Sequence, residues 1–220
     1  MKRTWSTGAL ALGALAMFGT GLTAQDVSVG VKAGLGISNI STDQLELVDT
    51  DSRTGFVAGG FLDIGLGSRF SIHPEVLYAQ KGFKAMDAGV EAEAELDYID
   101  IPVLLRFTPA SEDQRVQPAV FVGGFVAFEA GCSLSGEIDG ISVDDIDCDD
   151  PEADFERETT DAGAVFGAGV DVWLSDGLYL TFDGRYNLGI VDLETDEAAE
   201  SVTSRGWFFT GGVGIPLGSR

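Results

Sequence analysis

Ser71, His73 and Glu75 stand at alternate positions of one extended segment and supply a hydroxyl, an imidazole and a carboxylate, the raw material of nucleophilic catalysis. Residues two apart on a strand are neighbours along one face and do not converge across a site. The spacing therefore predicts a structural or solvated role for His73, the only histidine of the chain, and no catalytic centre. A second pattern, Asp145, Asp147 and Asp149 with Glu156 in twelfth place, imitates a calcium loop. Asp150 and Pro151 occupy the places of its sharp-turn glycine and carbonyl ligand, so a solvated acidic loop is expected. No phosphate-cradling glycine loop, zinc-ligand cluster or dinucleotide fingerprint occurs, and the reading calls for no cofactor and no resident metal.

A larger group of chemically capable residues is dispersed along the chain: Lys32, Lys81, Arg106 and Arg185 against Asp63, Glu75, Asp100, Glu129, Asp171 and Asp183. What unites them is the element each belongs to. Val27, Val29, Val31, Ala33, Leu35 and Ile37 interleave with Ser28, Gly30, Lys32, Gly34, Gly36 and Ser38, which makes a strand apolar on one face and polar on the other. The pattern returns about eight times. Phe56, Ala58, Leu62 and Ile64 share a face, as do Phe70, Ile72, Val76 and Tyr78, then Ile99, Ile101, Val103, Leu105 and Phe107. Further along come Val120, Val122, Val126 and Phe128, then Phe166, Val170 and Val172, then Leu180, Phe182, Tyr186 and Leu188, and last Trp207, Phe209, Val213 and Ile215. The charged residues fall on the opposite faces. Pro74 interrupts the third strand and predicts a bulge or a weak point, because proline cannot donate to the ladder.

The connections alternate between long, acidic stretches and short turns. The stretch up to Arg53, then Lys84 to Glu95, Gly131 to Asp161 and Val191 to Ser204 are long, and they carry 25 of the 36 acidic residues. Four long connections and three short ones suit an all-β fold, an eight-stranded antiparallel transmembrane up-and-down barrel whose acidic rim faces outside the cell. The interior of such a barrel is just wide enough to be filled by side chains, so the inward charges are expected to pair as a plug. Phe70, Tyr78, Phe107, Phe128, Tyr179 and Trp207 are expected in belts at the membrane interfaces.

Lys2 and Arg3, the apolar run Gly8 to Leu22 and the Leu22-Thr23-Ala24 triplet read as a signal peptide over residues 1–24, leaving 25–220 as one barrel domain. Export to an oxidising compartment makes a disulfide between Cys132 and Cys148 the expected state of the two cysteines. The formal charge of −23 argues against nucleic acid as a partner, since phosphate binding needs clustered Lys and Arg. The same acidity suits a carboxylate-rich surface kept hydrated in a saline habitat.

The segment Asp97-Tyr98-Ile99-Asp100-Ile101-Pro102-Val103-Leu104-Leu105-Arg106-Phe107, supported by Gly167-Ala168-Gly169-Val170-Asp171 and Arg185-Tyr186-Asn187-Leu188-Gly189, resembles the PorT-like outer-membrane β-barrel family, with Asp100 where that family has Glu. The resemblance implies a barrel in the bacterial outer membrane and fixes no catalytic residue. The expected partners are outer-membrane lipid, the barrel-insertion machinery during biogenesis and an unidentified extracellular or envelope protein. The expected role is structural or interactive; the alternatives are a narrow pore, a secretion-apparatus component, an outer-membrane enzyme and a soluble lipocalin-like barrel with its apolar faces inside.

Overall fold

The computed structural model describes residues 27–41, 49–87, 90–111, 114–138, 141–147, 159–190 and 203–218. Among the described residues nine strands follow one another: β1 (Val27–Ser41), β2 (Asp49–Gly65), β3 (Phe70–Asp87), β4 (Val90–Phe107), β5 (Val116–Ile138), β6 (Ile141–Asp147), β7 (Thr160–Ser175), β8 (Leu178–Gly189) and β9 (Thr203–Pro216). Every pairing is antiparallel, and β1 pairs with both β2 and β9 while β4 pairs with β5, so eight of the strands close a barrel. The ninth, β6, stands outside the ring. It pairs with the upper part of β5, from Ser133 to Ile138, above the point where β7 takes over that edge.

The alternation of apolar and polar residues sets which way each strand faces. Val31, Leu35, Phe56, Val76, Val103, Val120, Val122, Phe166, Phe182, Phe209 and Ile215 all point out and are exposed, whereas Lys32, Glu75, Asp100, Arg106, Asp183 and Arg185 point in and are buried. A soluble lipocalin-like barrel would have the reverse arrangement. An apolar outside with a charged inside is stable only where lipid replaces water around the barrel.

The acidic stretches differ from the sequence expectation. Residues 49–53, 84–87, 90–95 and 131–138 belong to strands, and residues 141–147 form one more, so much of what reads as loop continues the strands past the apolar band. Their acidity is what reads as loop, although Val90, Ala92 and Ala94 alternate with Glu91, Glu93 and Glu95 as a strand requires. Pro74 makes no bulge. Pairing between β2 and β3 lapses from Phe61↔Glu75 to Ile64↔Ile72 and resumes in unchanged register, so the proline is a local weakness only. Among the predicted belt residues, Phe70, Tyr78, Phe128 and Trp207 are exposed on the outside, and Phe70 packs on Phe107 with ring centroids 5.0 Å apart. Tyr179 is the exception: it is buried, turned inward beside Trp173 at 4.6 Å, because it shares the inward parity of Thr181 and Asp183.

The interior is less polar than the alternation implied. Tyr98, Leu104, Phe121, Phe125, Ala127 and Val165 form one buried cluster, and Val57, Leu77, Ala79 and Phe208 another. Several of the inward rings lie opposite glycines. Phe61 pairs with Gly30, Phe208 with Gly36, Phe121 with Gly167, Phe125 with Gly163 and Tyr179 with Gly214. In each case the ring covers the place where a Cβ would stand, so that one built at Gly36 would lie 2.6 Å from the Phe208 ring. Pairing a large inward side chain with none lets a narrow barrel curve tightly and still fill its lumen.

Candidate functional site: the charged lumen

Five strands converge on the centre of the lumen. Lys32 Nζ, from β1, donates to Glu75 Oε1 on β3 at 2.9 Å and to Asp183 Oδ2 on β8 at 2.7 Å. Glu75 Oε2 accepts from Arg185 Nη1 at 2.7 Å, so a single carboxylate on β3 bridges two cations, one from β1 and one from β8. Arg106 Nη2, from β4, donates to Asp171 Oδ1 on β7 at 3.0 Å and lies 3.8 Å from Asp183 Oδ1. Nearer the outer mouth, Lys81 Nζ donates to Asp100 Oδ1 at 2.9 Å and sits over the rings of Tyr98 and Phe125, 4.7 and 5.3 Å from their centroids. Buried charge is tolerated when it is paired and hydrogen-bonded in this way, and removing one partner strands the other.

Nine of the ten charged residues anticipated from alternation thus form ion pairs within the lumen, directly or through His73. Glu129 is partly exposed at the top of the inward row of β5, where its backbone N–H donates to Thr159 O. Sequence reasoning missed two members. His73 is fully enclosed, its Nδ1 2.9 Å from Asp63 Oδ2 and its Nε2 3.3 Å from Glu75 Oε1, with its ring stacked on Phe61 at 4.8 Å. Asp161 is buried and accepts from Ser204 Oγ at 2.5 Å. Both share the parity of residues already assigned inward, His73 with Glu75 and Asp161 with Asp171, and that parity was the available signal.

Ser71, His73 and Glu75 do lie on one face, but the hydroxyl is not presented to the imidazole. Ser71 Oγ donates to Asp63 Oδ2 at 3.1 Å, the carboxylate that also holds His73 Nδ1, and the other ring nitrogen faces Glu75 and Lys32. A base that activated the serine would have to touch its oxygen. Above the lumen, Arg53 of β2 pairs with Glu95 of β4 and donates to Lys81 O at 3.1 Å, tying the extended hairpins to the outer mouth. Cys132 is disulfide-bonded, while Cys148, the calcium-like stretch beyond Asp147 and the leader over residues 1–24 lie outside the described residues.

Two cavities flank the network. One of about 180 Å³ opens among the short turns and is lined by Asp63, Arg106, Asp171, Trp173 and Tyr179 among others. A smaller one of about 30 Å³ lies at the outer mouth, lined by Lys81, Tyr98, Asp161, Asn187, Ser204 and Phe208 among others.

A closed eight-stranded barrel with an apolar exterior and an ion-paired interior defines a small integral protein of the bacterial outer membrane. Residues 23–194 match the family model described as "Outer membrane protein beta-barrel domain", and the chain belongs to that family. Among solved structures it is similar to the outer membrane protein OprG of Pseudomonas aeruginosa, with TM-score 0.55 and 10% identity over 87% of this chain and 96% of that one, a likeness of fold. Lower-scoring similarities include Neisserial surface protein A, at TM-score 0.46 and 15% identity over 89% and 99% of the two chains. Another is Ail, the attachment invasion locus protein of Yersinia pestis, at 0.45 and 12% over 86% and 99%. No curated protein matches the chain.

Proposed function

We propose that this outer-membrane barrel is a structural or interaction protein: its lumen is closed to ions by its own side chains, and its acidic extracellular hairpins meet the medium and an envelope or extracellular partner. The observation that carries the closed lumen is the bridge Lys32–Glu75–Arg185, held from β1, β3 and β8 at 2.9 and 2.7 Å. A hydrated ion would have to part these pairs and leave buried charges alone, at several kcal/mol per ion. Planar-bilayer recording of the purified protein tests the reading: no steady conductance is expected, and a sustained current would overturn it. The PorT-like kinship, the leader over residues 1–24 and the Cys132–Cys148 bridge belong to the same proposal. Intact-mass measurement of protein isolated from membranes, with and without reductant, tests the last two: a chain beginning at Gln25 that gains 2 Da on reduction is expected.

The reading as a narrow pore has one observation in its favour, the cavity among the short turns. Arg106, paired with Asp171, stands across its inner end.

A further inference from the structure

The ion pairs leave a regular set of polar atoms unpaired. Arg106 Nε, Asp183 Oδ1, Arg185 Nε, Asn187 Oδ1 and Asp161 Oδ1 are all buried and make no hydrogen bond to protein. They are not scattered. Asp183, Arg185 and Asn187 are successive inward residues of β8, spanning about 14 Å along the strand at roughly 3.4 Å per residue. Asp183 lies 3.8 Å from Arg106, which lines the larger cavity, and Asn187 and Asp161 both line the smaller one. Three of the orphaned atoms therefore form a row on β8, with Arg106 of β4 beside the cavity at one end and Asp161 of β7 beside the cavity at the other. Around this row stand the ion-paired Lys32 and Glu75 and, toward Asn187, apolar residues that include Phe125, Val165 and Phe208.

A buried donor or acceptor left without a partner costs about 1–3 kcal/mol, and five together would cost the fold much of its margin. Water is the ligand that fits: it both donates and accepts, as a mixed row of guanidinium N–H groups and carbonyl or carboxylate oxygens requires. The outer cavity of about 30 Å³ has room for about two such molecules at roughly 10–15 Å³ each. We propose that a file of bound water runs along the inward face of β8 from one cavity to the other, so that the barrel passes water while its ion pairs exclude hydrated ions.

This goes beyond the closed-lumen reading and fails separately from it, since an ionic current would sink that reading and slow water movement would sink this one. Liposomes carrying the full-length protein are subjected to an osmotic step and their shrinkage followed by light scattering. They are expected to shrink several-fold faster than protein-free liposomes, and Asn187→Leu, which replaces a file member with an apolar side chain of similar volume, is expected to return the rate close to that baseline. Wild-type liposomes no faster than protein-free ones, or an Asn187→Leu protein folded by circular dichroism and as fast as the wild type, would overturn the proposal. A second measurement needs no variant. In solid-state NMR of the wild-type protein in lipid, the Nε signals of Arg106 and Arg185 are expected to receive polarisation directly from water, and transfer from protein protons alone would equally overturn it.

Discussion

At the scale of single residues, Glu75 is the hub. It holds Lys32 and Arg185 and lies 3.3 Å from His73, so three groups depend on one carboxylate. Glu75→Gln keeps the shape but takes the paired carboxylate from Arg185 and leaves Lys32 with Asp183 alone; a loss of about 3–5 kcal/mol in unfolding free energy is expected from urea titration in lipid vesicles. The outer pair behaves differently because apolar rings surround it. Lys81→Met alone leaves Asp100 buried without its cation and is expected to be destabilising by a similar amount. Lys81→Met combined with Asp100→Leu is expected to recover most of that loss, because an apolar pair of similar volume can replace a buried ion pair at little cost. A double-mutant cycle measures the coupling, and additive effects would show that the two charges act independently.

At the scale of the element, the inward glycines and their opposed rings make neighbouring strands complementary. The nearest atoms to a Cβ at Gly36 all belong to the Phe208 ring, so Gly36→Ala is expected to cost about 1–3 kcal/mol by displacing the ring, and Gly36→Ala with Phe208→Leu less than Gly36→Ala alone. Chevron or equilibrium unfolding of the two variants checks the order. These pairs also mark where sequence reading stops. Val27 to Ile37 shows its outward face plainly, because lipid demands apolar residues at every second position, and the charge of Lys32, Arg106 and Asp183 marks the inward face as plainly. Phe61, Phe121 and Phe125 stand at inward parity and are apolar, and nothing local in them shows that each fills the space of a glycine on another strand. The extensions at residues 49–53, 84–87 and 90–95 read as loop because they are acidic, although Val90, Ala92 and Ala94 do alternate with Glu91, Glu93 and Glu95.

At the scale of the whole molecule, lipid inverts the usual rule for surface substitutions. Val122 is 57% exposed, midway along the apolar part of β5, and in a water-soluble barrel a change there to arginine would be nearly neutral. Here Val122→Arg is expected to cost about 2–4 kcal/mol, measured as the shift in unfolding free energy in vesicles, because the guanidinium must enter hydrocarbon near the bilayer centre. A neutral result would place the apolar faces against something other than lipid.

The seam between β1 and β9 runs from Ser28↔Pro216 to Ser41↔Thr203 and joins the first described strand to the last. Closure is therefore the final pairing available to a chain delivered in order: until β9 arrives, β1 and β8 each present a bare row of amide and carbonyl groups. Such rows recruit other chains as readily as their own. A chain that lacks β9 is therefore expected to leave both rows bare and to pair with other chains more readily than the closed barrel does.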